Sequence, residues 1–409
     1  MSVSKTLIRL TATLLLVLSM KTTHAYSILA HEALIDSCWA STIRPLLLAK
    51  FPGSTDAQLK TAHAYAYGGA IAPDIGYFPF GSPFFTNLVH YVRSGDFVNA
   101  LLADARDINE YAFAIGFLSH YMADRYGHSL ATNKSVPLLY PKVRKKHGNW
   151  VTYEENPLAH KRVEFGYDVL QTVEGDYTKI AYHDFIGFEI SDGLLERAFT
   201  EVYGLDIHKV FPVFSLSSVM LRWSFKRLFP VLTGTAWILK KNQLKKAHSP
   251  DGYKGMQAKG YRANVFSGLV AFVVTVLPKV GPLRVMKFRP PGPVVAKLYY
   301  SSFDTIVERY GMALRACREG TSRLANVDFD TGNFTAPAEY GLADKSYDKL
   351  VVKLKKNKFR RLNGELRENI VDYYSCRVAP LGGRRNEHAW NKTEAALHQL
   401  EVAKNGAAD

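Results

Sequence analysis

Three residues that could bind a metal ion recur at intervals of four in the segment YAFAIGFLSHYMADRYGH, residues 111–128. His120, Asp124 and His128 share one face of a helix, because a turn of about 100° per residue puts them within an arc of roughly 80°. Apolar neighbours indicate that this face points inward, where a carboxylate between two imidazoles requires a compensating cation. His120 and His128 would lie about 12 Å apart along the axis, too far for one ion with bonds of about 2 Å. The spacing therefore indicates more than one metal ion.

A second pair with the same spacing follows in NPLAHKRVEFGYDVL, where His160 and Glu164 are one helical turn apart. Histidine and glutamate are residue types that zinc accepts as ligands. A histidine with a carboxylate one turn away is more commonly a hydrogen-bonded pair, so neither motif identifies a metal site alone. Together with His31, Asp74 and His90 upstream, the two motifs favour a metal centre.

The elements that position these residues read as helices, because strand-like alternation is scarce. We predict an all-α fold, a multi-helix bundle with an additional helical C-terminal region. His31 lies near the start of an apolar helical pattern over residues 27–50, and Asp74 lies in a Gly/Pro-rich loop over residues 68–84. His90 is expected at or just before the start of a helix. A basic loop over residues 142–150 is expected before the helix that carries His160.

Composition fits an exported globular protein. The chain has 409 residues, of which 47% are hydrophobic, and a formal net charge of +15. Residues 1–25 combine basic residues, an apolar run and the small-x-small end Thr23-His24-Ala25, which is typical of a cleavable secretory signal. Cleavage would leave Tyr26 as the mature N-terminus of a secreted or periplasmic protein. The positive charge favours an anionic partner, such as a phospholipid surface or nucleic acid.

Taken in order, the candidate ligands resemble the motif of the zinc-dependent phospholipase C family, whose relatives include the S1/P1-type nucleases and the catalytic domain of the glycosylphosphatidylinositol-specific phospholipase D. The match runs through Tyr26-Ser-Ile-Leu-Ala-His31, Asp74, His90, His120-x-x-x-Asp124, His128 and His160-x-x-x-Glu164. It covers residues 26–164. The order of the residues and the two four-residue spacings are specific, whereas any single member is not.

The resemblance implies an all-α phosphodiesterase domain, over residues 26–240, with up to three zinc ions. One zinc would be held by four residues: Asp74, His90, His120 and Asp124. A second would be held by His128, His160 and Glu164. The third would be held by Tyr26, through its free amine and carbonyl, by His31 and by the shared Asp124. Residues 241–409 form a basic, mostly helical region to which the resemblance does not extend.

The expected function is a zinc-dependent phospholipase C that hydrolyses the phosphodiester bond of phospholipids. We expect Asp74 both to bind zinc and to orient or deprotonate the attacking water. The family's usual N-terminal tryptophan is replaced by Tyr26, and the four-residue gap between Asp124 and His128 resembles the phospholipase D branch. The apolar segments 210–240 and 265–277 could contact a membrane surface or belong to the core. No feature indicates an obligate protein partner.

Three alternatives remain open. A single-strand nuclease on the same metal core would use aromatic stacking platforms, for which five residues after Asp74 are candidates: Tyr77, Phe78, Phe80, Phe84 and Phe85. A phospholipase D-like phosphodiesterase would cleave the other side of the phosphate. A non-catalytic, zinc-stabilised binding protein would keep the ligands and lack an open coordination position. His63 and His147 are interpreted as structural or surface residues in each case.

Overall fold

The computed structural model describes residues 26–174, 187–247, 263–276, 281–375 and 387–405. Within these ranges the regular structure is helical, apart from one antiparallel β-bridge between Val327 and Phe334. The prediction of an all-α fold is confirmed. The predicted signal segment, residues 1–25, lies outside the described residues. No described helix combines the length and the apolar character needed to cross a bilayer.

The N-terminal half supplies the elements that carry the candidate ligands. A 3-10 turn covers Ala72–Tyr77, and π-helical turns cover Trp39–Ile43 and His128–Thr132. The helices in this half are α1 (Ile28–Cys38), α2 (Arg44–Lys50), α3 (Asp56–Ile71), α4 (Pro83–Tyr91), α5 (Ser94–Asp104), α6 (Ile108–Gly127), α7 (Asn133–Leu139), α8 (Pro141–His147) and α9 (Pro157–Glu174).

The C-terminal half is also helical in its described parts. Its helices are α10 (Asp192–Tyr203), α11 (Ile207–Val210), α12 (Phe214–Trp223), α13 (Phe229–Ala247), α14 (Val265–Val276), α15 (Pro293–Arg318), α16 (Gly341–Lys356), α17 (Gly364–Ser375) and α18 (Glu387–Asn405). A π-helical turn over Ser224–Leu228 precedes α13, and a 3-10 turn over Gly281–Lys287 precedes α15.

The central helix α6 crosses α3 at very short range. Asp107 caps its N-terminus by accepting hydrogen bonds from two backbone N–H groups of the first turn. A Cβ atom on Gly116 of α6 would lie 2.0 Å from the carbonyl oxygen of Ala66, and one on Gly69 of α3 would lie 2.0 Å from that of Phe113. Glycine at these two positions is therefore what allows the backbones to approach so closely. This crossing fixes α6, which carries three of the candidate ligands.

Two local predictions were wrong. His90 lies in the last turn of α4, not at the start of a helix, because Ser82 caps α4 and Pro83 begins it. The basic stretch after Pro141 forms α8 and becomes irregular only at Gly148, which has a φ of +89°. In addition, Asp74 lies within the 3-10 turn over Ala72–Tyr77, so this part of the Gly/Pro-rich segment is regular structure and not a loop.

The C-terminal helices share one hydrophobic core with the N-terminal helices. This core includes side chains of α15, α16 and α17, and the Tyr310 hydroxyl of α15 donates a hydrogen bond to the carbonyl oxygen of Ile115 in α6 (3.0 Å). The predicted division at residue 240 falls inside α13, and it stays a prediction. A smaller core joins α13 and α14 to the face of α9 that carries Phe165 and Val169.

Candidate metal centre

Four predicted ligands meet where α6, the end of α4 and the 3-10 turn come together. The Nε2 atom of His90 lies 3.4 Å from Asp74 Oδ1, 3.3 Å from His120 Nε2 and 3.5 Å from Asp124 Oδ2. His120 Nε2 also lies 3.1 Å from Asp124 Oδ2. All four side chains are buried. We call this set the first group.

A second group joins α9 to the π-helical turn that follows α6. His160 Nδ1 lies 2.7 Å from Glu164 Oε1, and His128 Nε2 lies 3.5 Å from the same oxygen. All three side chains are buried. Their ligand atoms lie within 4.8 Å of one another, which is close enough for one metal ion.

A third group forms on the other oxygen of Asp124. His31 Nε2 lies 3.3 Å from Asp124 Oδ1, and the backbone nitrogen of Tyr26 lies 3.2 Å from the same oxygen. Asp124 thus presents one carboxylate oxygen to the first group and the other to the third. His31, His120 and Asp124 also satisfy the distance requirement for one ion. This arrangement is the one that a shared, bridging carboxylate requires.

Most of the histidines are oriented by a hydrogen bond on the ring nitrogen that faces away from its group. Such a bond fixes the tautomer and leaves the lone pair of the other nitrogen available for a metal ion. Each of these distances is 2.9 Å, and the bonds run from His90 Nδ1 to Thr86 O, from His120 Nδ1 to Ala70 O and from His160 Nε2 to Asn133 Oδ1.

Within the described residues, eight side-chain nitrogen and oxygen atoms of the three groups have no hydrogen-bond partner. A buried polar atom without a partner costs on the order of 1–3 kcal/mol, and a cluster of such atoms indicates a ligand. Imidazole nitrogen and carboxylate oxygen are donors that zinc accepts, so the residues present fit zinc. These atoms are both ring nitrogens of His31, both oxygens of Asp74, Asp124 Oδ2, His128 Nε2, His160 Nδ1 and Glu164 Oε1.

Burial and the neighbouring charges have opposite effects on several pKa values at this centre. Burial alone would raise the pKa of Asp124, but His120 and His128 outweigh it and hold the pKa well below its usual value. At Asp74 burial prevails, and the pKa is raised. Burial lowers the pKa of His120, which favours the neutral form that binds metal. Burial would also lower the pKa of His90, but Asp124 and Asp74 raise it to about 9. A divalent cation would relieve this crowding of buried acids.

The sequence reasoning missed two residues that contact the second group. Asn133 accepts the hydrogen bond from His160, and Asp330 Oδ1 lies 3.2 Å from His128 Nδ1. Asn133 lies just after the π-helical turn over His128–Thr132, and no spacing pattern in the sequence connects it to His160. Asp330 lies far along the chain, and no local pattern connects it to His128.

Other candidates lie outside the three groups. His63 stacks on Trp39 with ring centroids 3.7 Å apart, and its Nε2 lies 3.1 Å from Asp36 Oδ1, which is a structural role. His147 lies at the end of α8. Of the five aromatic residues proposed as stacking platforms, four are buried, and only Phe80 is exposed (55%). These aromatic residues therefore offer one exposed ring, not a platform.

The fold and the site together define an all-α protein with buried groups of histidines and carboxylates that could hold metal ions. Residues 30–212 match the family model described as zinc dependent phospholipase C. The match contains every candidate ligand from His31 to Glu164, whereas Tyr26 precedes it and Asp330 follows it. Neither a curated protein nor a solved structure matches the chain.

Proposed function

We propose that this protein is a secreted zinc-dependent phospholipase C that hydrolyses the phosphodiester bond on the glycerol side of the phosphate in phospholipids. The observation that carries the proposal is the set of three adjoining groups of buried, unpartnered imidazole nitrogens and carboxylate oxygens. Apart from Tyr26, the residues of these groups lie within residues 30–212, which match the zinc-dependent phospholipase C family model.

The ligand roles follow from the distances. Asp74, His90, His120 and Asp124 would hold one zinc ion, and His128, His160 and Glu164 a second. His31, Asp124 and the amine of Tyr26 would hold the third. When bound, zinc would lower the pKa of a coordinated water and neutralise charge on the phosphate oxygens.

We assign Asp74 a second role beside metal binding. Both of its carboxylate oxygens are buried and have no hydrogen-bond partner among the described residues, so one oxygen remains for a water molecule when the other binds metal. Burial raises the pKa of Asp74, which makes this carboxylate a better proton acceptor than an exposed aspartate. Asp74 would therefore orient the attacking water and accept its proton.

Export would complete the third group. In the full chain the Tyr26 nitrogen belongs to a peptide bond, and it donates a hydrogen bond to Asp124 Oδ1. A peptide nitrogen has no lone pair to offer a metal, whereas a free neutral amine has one. We therefore propose that removal of residues 1–25 creates the last ligand, so that the enzyme matures only after export.

A membrane surface is the proposed place of action, and α14 supports this. Its outward face exposes Val265 (80%), Phe272 (65%) and Val276 (57%), while its other face packs in the smaller core. A helix that is apolar on its solvent side, yet too short to span a bilayer, is suited to lie in the lipid interface.

Several basic side chains lie close together in the part of the fold that contains α14. Arg162 of α9 donates a hydrogen bond from Nε to the carbonyl oxygen of Arg284, and the pKa of Arg162 is lowered, first by burial and further by Arg284. Burial and Arg162 likewise lower the pKa of Lys240 on α13. Cations that repel one another would be stabilised by anionic lipid headgroups.

The alternatives predict different products. A phospholipase D-like enzyme would release phosphatidic acid from phosphatidylcholine, and a nuclease would cleave single-stranded DNA. The burial of four of the five aromatic residues after Asp74 disfavours base stacking at this position. A non-catalytic zinc protein would release nothing.

The test is hydrolysis by the mature protein, starting at Tyr26, of phosphatidylcholine vesicles and single-stranded DNA in parallel, with and without a chelator. We expect diacylglycerol release that the chelator abolishes, with intact DNA. His120→Gln should abolish this activity and His63→Gln, outside the metal groups, should retain it. Phosphatidic acid, cleaved DNA, or no product with zinc bound would each contradict the proposal in favour of the corresponding alternative.

A further inference from the structure

A short hairpin in the C-terminal half, residues 326–335, reaches the metal centre. The Thr335 N–H donates to Asn326 O (3.1 Å) and the Asp328 N–H to Asn333 O (2.9 Å). Within the turn, Asp328 Oδ1 accepts a hydrogen bond from the Asp330 N–H (2.8 Å). These bonds give the hairpin a defined conformation and fix the backbone at Asp330.

The hairpin is attached to α5 and to α4 and α6, the two helices that carry members of the first group. Ser94 Oγ donates to Val327 O (2.7 Å) and accepts from the Val327 N–H (3.0 Å). The Tyr121 hydroxyl donates to Ala325 O (2.8 Å), just before the hairpin. The Phe329 N–H donates to His90 O (3.3 Å). The hairpin therefore cannot shift without disturbing α4, α5 or α6.

Two acceptor oxygens of the hairpin face His128. The Nδ1 atom of His128 lies 3.2 Å from the carbonyl oxygen of Phe329 and 3.2 Å from Oδ1 of Asp330. An N–H at Nδ1 that donates to these oxygens leaves the lone pair on Nε2, the atom that faces Glu164. The carbonyl oxygen of Phe329 and the carboxylate of Asp330 thus together set the tautomer and the ring orientation of His128.

Asp330 is itself held in place from three sides. Its Oδ2 accepts hydrogen bonds from the hydroxyls of Tyr91 (3.0 Å) and Tyr340. Its backbone carbonyl accepts a hydrogen bond from Asn133 Nδ2 (2.6 Å), and Asn133 Oδ1 accepts from His160 Nε2 (2.9 Å). Asp330 therefore contacts His128 directly and is one residue removed from His160.

We propose that Asp330 is a positioning residue for the metal site of His128, His160 and Glu164, and that the C-terminal half is in this way part of the site. Carboxylates that accept a hydrogen bond from a metal-binding histidine orient the ring and raise its basicity. Asp330 lies outside residues 30–212, the region that defines the family. The inference requires that this group binds zinc, and it does not depend on which phosphodiester is cleaved.

The experiment compares the wild type with Asp330→Asn in the full mature chain, by zinc competition with a chromogenic chelator and by melting with and without zinc. We expect one zinc ion to bind about 10–100-fold more weakly in the variant. The zinc-induced rise in Tm should be smaller than in the wild type, because the stabilisation by a ligand falls with its affinity. A merely structural role would lower the Tm of both forms and leave the zinc-induced rise unchanged.

Two further variants make the result decisive. Asp344→Asn is the matched control, because Asp344 is a buried carboxylate of the same half that binds the Tyr373 hydroxyl (2.6 Å) instead of a metal ligand. It should keep the wild-type zinc affinity. Tyr340→Phe removes one hydrogen bond to Asp330 and should weaken the same zinc ion to a smaller extent. If Asp330→Asn fails to fold, Tyr340→Phe decides. Wild-type affinity and an unchanged rise in Tm in the deciding variant would overturn the proposal.

Discussion

Replacement of Gly116 by alanine tests whether the crossing of α3 and α6 holds the metal centre together. The added Cβ would lie 2.0 Å from the carbonyl oxygen of Ala66, whereas ordinary contacts begin near 3.4 Å. The two helices would have to separate by roughly 1 Å or more, and overpacking of this kind costs about 1–3 kcal/mol. The hydrogen bond from His120 Nδ1 to Ala70 O (2.9 Å) spans the same pair of helices. We therefore expect both a lower Tm and weaker zinc binding.

The assay is melting of the zinc-free and zinc-loaded forms, together with zinc content after dialysis. Gly268→Ala is the matched control, because a Cβ there meets no atom of the described residues within 4 Å and alanine favours a helix over glycine by about 1 kcal/mol. This control should be neutral or stabilising. A Gly116→Ala protein as stable as the wild type, with full zinc content, would refute the role assigned to the crossing.

Two further predictions concern the surface and the N-terminus. The double variant Phe272→Asp, Val276→Asp should bind vesicles that contain phosphatidylserine at least tenfold more weakly in a sedimentation assay, since each substitution removes an exposed apolar side chain and adds a negative charge. Val371→Asp, at an exposed valine on α17, is the control and should bind as the wild type does. Equal binding by the wild type, the double variant and the control would exclude α14 as the contact. A protein that keeps one extra residue before Tyr26 should bind one zinc ion fewer than the mature form, as measured by native mass spectrometry. The reason is that the nitrogen of Tyr26 then remains a peptide nitrogen. Equal zinc content in both forms would contradict the role of the amine.

Helical spacing alone indicated five of the candidate ligands, and the resemblance to a known family added Tyr26, His31, Asp74 and His90. His120 and Asp124, like His160 and Glu164, are one turn apart, and the geometry of a helix alone places such side chains on one face. The structure then brings these faces together with His31, Asp74 and His90. Their ligand roles stay predictions until metal is observed.

The errors in local structure came from signals that compete. The start of α4 is marked by Ser82-Pro83, a capping residue followed by proline, yet the glycines and prolines before it favoured a long loop. The basic residues of α8 indicated an exposed segment, which was interpreted as a loop although a helix begins at Pro141.

Asp330 could not have been predicted from the sequence. Its contact with His128 joins residues separated by about half of the chain, and it depends on how the hairpin packs against α4, α5 and α6. Neither periodicity nor a capping pattern encodes such a contact. The same holds for the shared core, since the Tyr310–Ile115 hydrogen bond joins helices that local patterns treat as separate regions.

The most direct test of the central claim, that the buried histidine–carboxylate groups are zinc sites, is X-ray diffraction from crystals of the mature, zinc-loaded protein at the zinc absorption edge. The account predicts three anomalous peaks, one at each group, with Asp124 between two of them. Peaks at other positions, or none between His128, His160 and Glu164, would contradict it.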